Sequence, residues 1–151
     1  ENKRAPMYWS KDDKAEGMCK GPADMEDFQM KFDSLEEQQE DSDSIYNYVK
    51  QVIRIRNQNP AIARGNTTYL EQYSGEQCFA LTRSYEGSNL LLLGNTSAEA
   101  VSVDLTGLTV GGTTAEELVL LGELYTGEET AERAGTVVTL PAYSILILGE
   151  E

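Results

Sequence analysis

Histidine is absent from the 151-residue sequence. That removes the commonest general base and the commonest zinc ligand. A nucleophile of the Ser-His-Asp or Cys-His kind is excluded with it. The two cysteines, Cys19 and Cys78, stand far apart and have no metal-ligand spacing. A disulfide and a pair of free thiols both remain open. Carboxylates are plentiful, but "EEQQEDSDS" (36–44) reads as a solvated run leading into a helix cap. Its "DSDS" opens like a calcium loop yet lacks the glycine and the closing glutamate. "TVGGTT" (109–114) lacks the lysine and following helix of a phosphate cradle and reads as a hairpin connection. Asn66 and Asn95 each begin an Asn-x-Ser/Thr triplet, the short acceptor pattern for N-glycosylation.

One stretch does offer a ligand something. "ENKRAPMYWS" (1–10) gathers Arg4, Met7, Tyr8 and Trp9. Sugar rings stack their C–H faces on aromatics, and a planar guanidinium donates hydrogen bonds to hydroxyls. The plainer reading makes Met7 and Trp9 ordinary packing residues.

The rest of the chain must position such a loop. Its length fits one domain, or a small domain with attachments, and can bury a core without staples. The net charge of −14, from 12 basic and 26 acidic side chains, repels phosphate backbones and anionic membranes. Nucleic acid and membrane are therefore not expected partners. No apolar run is long enough to span a bilayer. No targeting segment is recognisable, and any such segment would lie upstream of Glu1.

Residues 1–40 are polar and loop-like, apart from one short turn near "ADMEDFQMKF" (23–32). Residues 41–58 form the clearest helix, about 42–58, with Asp/Ser caps at its start and Asn59 and Pro60 as its stop. Ile45, Tyr46, Tyr48, Val49, Val52, Ile53 and Ile55 fill an arc of roughly 180° on it. Such an arc asks for neighbours on two sides. Arg56 falls inside it and needs either a snorkelling path or a carboxylate partner. From Asn66 onward come short strand candidates: "TTYLEQY", "QCFALTRSY", "NLLLLGNT", "AVSVDL", "ELVLLGELY", "TVVTL" and "YSILILG". Turn residues separate them, which predicts an antiparallel sandwich or barrel. The continuous run Leu90 to Leu93 suits a central strand covered on both faces.

Three blocks now carry a resemblance. "NKRAPMYWS" resembles the Arg-x-Pro-Met-x-Trp segment late in the catalytic barrel of the α-amylase family of glycoside hydrolases. "DSDSIYNYVKQVIRIRNQNPAIARG" is similar to that family's last barrel helix. "CFALTRSYEGSNLLLLGNTSAEAVSVDL" is similar to its C-terminal β-sandwich. The implied fold is mainly β: an antiparallel Greek-key sandwich preceded by one long amphipathic helix and an irregular N-terminal segment. Residues 1–64 would be the end of the barrel and 65–151 the sandwich.

The resemblance further implies a C-terminal fragment whose parent is a retaining α-glycosidase acting through two carboxylates. Those carboxylates would lie upstream, so no residue here is given a catalytic role. Arg4, with Met7 and Trp9, would approach the α-glucan or malto-oligosaccharide substrate. No cofactor is expected in this chain, and calcium would belong to the parent. The expected setting is secreted or at a bacterial cell envelope. The alternative is a free-standing α-glucan-binding sandwich using Tyr69, Tyr73, Tyr85 or Tyr125. A structural role for residues 66–151 is favoured, because their aromatics are few. The apolar helix arc further predicts a homodimer.

Overall fold

A computed structural model describes residues 5–12, 14–19, 21 and 30–150. They fall into two compact units, 1–50 and 51–151.

In the first unit, α1 (Leu35–Glu40) begins at a capping box. Ser34 is fully buried, and its Oγ donates to Glu37 Oε2 at 2.8 Å. The Ser34 N–H reaches the same oxygen at 3.1 Å. Two of the backbone donors at the α1 N-terminus reach the incoming chain instead. Leu35 N–H donates to the Tyr8 carbonyl (2.9 Å) and Glu36 N–H to that of Trp9 (3.1 Å). The loop-like reading of 1–40 missed this helix, which is too short to show a period. The turn expected at 23–32 lies mostly outside the described residues.

The predicted long helix is α2 (Ile45–Gln58). Ser44 caps it, its Oγ accepting from Asn47 N–H at 3.2 Å. The Asn47 side chain donates to the carbonyls of Gln38 (2.9 Å) and Asp41 (2.8 Å), tying the α1–α2 turn together. Its apolar arc splits in two. Ile55 is buried, whereas Ile45, Val49 and Ile53 are 76%, 46% and 52% exposed. Arg56 is exposed too, and among the described residues it has no carboxylate partner. The helix stops where Pro60 demands it, but Pro60 then serves as the first residue of α3 (Pro60–Arg64). The Asn59 side chain donates back to the Ile55 carbonyl at 2.8 Å.

The second unit is an antiparallel sandwich of Greek-key type. Its five-stranded sheet runs β1-β2-β3-β10-β7, its three-stranded sheet β4-β9-β8, and β5-β6 form a separate hairpin. The strands are β1 (Asn66–Tyr69), β2 (Cys78–Tyr85), β3 (Ser88–Asn95), β4 (Val101–Asp104), β5 (Thr109–Val110), β6 (Thr113–Thr114), β7 (Val119–Leu124), β8 (Glu132–Ala134), β9 (Val137–Leu140) and β10 (Ile145–Gly149). Seven match sequence candidates, and the expected hairpin at "TVGGTT" is β5-β6. Gly111 (φ 64°) and Gly112 (φ 100°) supply its turn, as a two-residue hairpin loop demands. Strand β8 has no apolar alternation and went unseen. "TTYLEQY" splits at Leu70 into β1 and a 3-10 turn, Glu71–Tyr73.

Between the two sheets lie Ala80, Leu91, Leu93, Leu146 and Leu148 from one and Val103, Val138 and Leu140 from the other. The opposite face of the five-stranded sheet is also apolar. Register places Leu81, Leu92 and Ile147 in one row across it, and Leu90 follows two residues along from Leu92. The continuous leucine run thus belongs to a strand with two apolar faces, as expected. Ile55 covers this second face at Gly122, where an added Cβ would lie 3.1 Å from the Ile55 side chain. Gln51 Nε2 donates to the Glu123 carbonyl nearby (2.9 Å). At the C-terminus of α3, Arg83 donates to the Ile62 carbonyl (2.8 Å) and to that of Ala61 (3.0 Å), which also accepts from Gly65 N–H (2.9 Å).

Candidate functional site

The N-terminal stretch places its side chains unevenly. Arg4 lies outside the described residues. Met7 and Trp9 are 53% and 45% exposed. Tyr8, between them, lines a hollow of about 370 Å³ with Lys11, Phe32, Asp33 and Glu37. Its position follows from the backbone: the carbonyls of Tyr8 and Trp9 are pinned to the first turn of α1. Sequence reasoning grouped Tyr8 with Arg4, Met7 and Trp9 as the stretch that offers a ligand something, gave substrate contacts to Arg4, Met7 and Trp9, and passed over Phe32, which is 63% exposed. Phe32 sits in a stretch with no periodic pattern, so no signal marked it.

An ion pair in the hollow joins Lys11 Nζ to Glu37 Oε1. The hydrogen bond from Lys11, followed by that from Ser34, holds the Glu37 carboxyl below the usual carboxylate range. The same contact raises Lys11 above its ordinary value. Both Glu37 oxygens are therefore engaged, and the residue is a structural anion rather than a proton donor. What the hollow offers is binding chemistry: the faces of Tyr8 and Phe32, flanked by the charges of Lys11, Lys31 and Asp33.

The tyrosines of the sandwich divide sharply. Tyr73 and Tyr125 are half-buried with committed hydroxyls. Tyr73 donates to the Thr106 carbonyl (3.2 Å). Tyr125 donates to Glu123 Oε2 (2.6 Å) and accepts from Ala131 N–H (3.0 Å). Burial and the Glu123 carboxylate push the Tyr125 hydroxyl up to about 12. Tyr85 is half-buried as well. Of the four aromatics named for a glucan platform, Tyr69 alone is well exposed (58%). It borders a shallow hollow with Leu70, Glu71 and Gln72. Tyr143, 51% exposed, escaped the sequence reading.

The acceptor triplets are equally unequal. Asn66 is exposed on edge strand β1. Asn95 is 3% exposed, and its Nδ2 donates to the carbonyls of Glu99, Leu140 and Pro141. A glycan on that nitrogen is incompatible with the fold, so the acceptor reading of Asn95 is corrected. "DSDS" is a capping turn, with Asp41 Oδ1 accepting from Asp43 N–H at 2.9 Å. Among the described residues, no group of three or more Asp, Glu or Cys side chains is placed to hold a metal ion. Cys19 and Cys78 are both free thiols. No helix among the described residues is long and apolar enough to cross a membrane.

No protein-family model matches the chain, and no curated protein sequence matches it. Solved structures do. Amy13B of Eubacterium rectale is 39% identical over 96% of this chain and 27% of its own, with a TM-score of 0.85. The trehalulose synthase MutB of Pseudomonas mesoacidophila is 26% identical over 77% of this chain and 19% of its own, with a TM-score of 0.60. An α-amylase from H. orenii shares the fold at 22% identity over 96% of this chain and 28% of its own, with a TM-score of 0.65. The chain thus spans about a quarter of the length of the first of these enzymes. With sequence blocks and overall fold in agreement, the chain belongs with the α-amylase family of glycoside hydrolases.

Proposed function

We propose that the chain is the non-catalytic, C-terminal part of an α-glucan-acting glycoside hydrolase, of α-amylase or oligo-α-glucosidase type. Residues 1–64 close the catalytic barrel, and residues 65–151 form the sandwich that stabilises it. The observation that carries this reading is the exposed row Ile45, Val49 and Ile53 on α2. These residues lie four apart and so share one face of the helix. Three large apolar side chains in a row are an unmet demand for a packing partner. The row is accounted for if the remainder of the enzyme covers it. In this reading Arg4, Met7 and Trp9 approach the α-glucan, with Tyr8 and Phe32 beside them.

The test compares one substitution in two settings. In the isolated chain, Ile53→Glu changes an exposed side chain and should shift stability by less than about 0.5 kcal/mol. In the intact parent enzyme the same change should lower the melting temperature clearly, because burying an unpaired carboxylate costs several kcal/mol. Equal, small effects in both would overturn the scaffold reading. A glucan-binding module is the second reading, and Tyr69 is the exposed aromatic that favours it.

A further inference from the structure

The exposed row on α2 is not purely apolar. Ile45, Val49, Ile53 and Arg56 follow one another at steps of four, four and three, which keeps them on one face of the helix. At about 100° per residue, Arg56 falls between Ile45 and Val49 in angle. A cation therefore stands inside the stripe, one turn beyond Ile53. It is exposed, and among the described residues it has no carboxylate partner.

An arginine in a last helical turn commonly complements the helix dipole and bonds the free carbonyls there. The Ile55 carbonyl is already taken: Asn59 donates to it through its backbone N–H (3.1 Å) and its side chain (2.8 Å). The charge setting is unusual as well. The chain carries 26 acidic and 12 basic side chains, yet α2 holds Lys50, Arg54 and Arg56 and no acid. Lys50 lies over the Tyr46 ring, 5.8 Å from its centre. Arg54 stands ~160° away from Arg56 around the helix. Glu123, on the strand that α2 packs against, is engaged by the Tyr125 hydroxyl. None of these groups answers Arg56.

A guanidinium covered by protein needs a partner, because a buried unpaired charge is strongly destabilising. A carboxylate suits it best: two oxygens match the guanidinium fork, and the charges cancel. The match to Amy13B covers 27% of that enzyme, so most of it lies outside the matched part and can supply such a group.

We infer that the remainder of the parent enzyme covers this row and sets a carboxylate against the Arg56 guanidinium, so that α2 docks through an apolar stripe with one ion pair at its end. The occupant rests on the proposed function above; the ion pair rests on Arg56. The pair also sets register. Sliding α2 by one turn, about 5.4 Å, would leave both charges buried without partners.

The test is thermal unfolding of the intact parent enzyme and of the isolated chain, from about pH 7 to about pH 4. Each is compared as wild type, Arg56→Met, Arg56→Lys and Ile53→Glu. In the isolated chain Arg56→Met should move the melting temperature by no more than about 2 °C. In the parent it should lower it by several degrees near neutrality, with Arg56→Lys in between. Arg56 holds the partner carboxylate's folded-state pKa below its unfolded one. The pair's stabilisation is therefore full above the unfolded value and lost as pH falls through the folded one. In Arg56→Met the stranded carboxylate shifts upward instead. The gap between wild type and Arg56→Met should thus be wide near neutrality and narrow in acid. A gap in the parent that does not change with pH would give Arg56 to carbonyl oxygens and overturn the ion pair. So would Arg56→Met melting like wild type while Ile53→Glu melts early, a result that leaves the scaffold reading standing. A parent in which Ile53→Glu melts like wild type would remove the scaffold reading and this inference with it. A parent dimer that Arg56→Glu dissociates in sedimentation would seat a second copy on the row and refute the inference as well.

Discussion

Asn95 is the residue whose loss should unsettle the sandwich most. It is 3% exposed, and its amide donates to three carbonyls, at 2.7, 3.2 and 2.9 Å. Its Oδ1 accepts from Ser97 N–H (2.9 Å) and Oγ (2.8 Å). In Asn95→Ala, Glu99 and Ser97 can turn to water because they are near the surface. The carbonyl of Leu140, a fully buried residue, cannot. One or two stranded groups at about 1–3 kcal/mol each give a loss of roughly 2–4 kcal/mol. Asn95→Asp has nearly the same shape but cannot donate when ionised. It sets a carboxylate against three carbonyl oxygens, at about 3–5 kcal/mol near neutrality. Burial and those carbonyls raise the introduced carboxyl's folded-state pKa above its unfolded one. Stability of Asn95→Asp is therefore greatest in acid and is lost as pH rises through the folded value. Urea unfolding followed by circular dichroism, at several pH values, reads both effects. The reasoning fails if Asn95→Ala lies within about 0.5 kcal/mol of wild type. It also fails if Asn95→Asp shows no relative recovery in acid.

Other expectations follow from the same contacts. Ile55→Ala opens a void over Gly122 and should cost about 2–4 kcal/mol in a denaturation curve, whereas Val49→Ala, on the exposed row, should cost less than about 0.5. Tyr125, with its hydroxyl near 12 when folded, adds stability that is present below its ordinary value of 10.0 and lost as pH rises through 12. Tyr125→Phe should therefore show the flatter alkaline melting profile. If two isolated chains pair through Ile45, Val49 and Ile53, sedimentation at micromolar concentration will give a dimer that Ile53→Glu dissociates. A wild-type monomer would dismiss that pairing.

What the sequence showed and what it hid have physical causes. The sandwich strands were legible where their side chains alternate, as in Val101 and Val103, or where both faces are apolar, as at Leu90 to Leu93. Strand β8, with all three residues exposed, carries no pattern because it buries nothing on its own. Helix α1 is specified by its cap, Ser34 with Glu37, rather than by a period, and six residues are too few for one to emerge. The extent of α2 was legible from Ser44 and Pro60. The division of its apolar arc was not, since sequence cannot say which of two packing faces is filled. At the candidate site, the Arg4-to-Trp9 stretch stood out by composition. Tyr8 and Phe32 are joined only through the hydrogen bonds that pin residues 8 and 9 to α1, and those exist only in three dimensions.

The measurement that bears most directly on the central claim is the release of reducing sugar from soluble starch and maltotriose by the purified chain of 151 residues. A non-catalytic part of an α-glucan hydrolase should give the rate of buffer alone, while the intact parent enzyme hydrolyses the same substrates. Turnover that follows this chain through purification, and is abolished by a single substitution within it, would contradict the account.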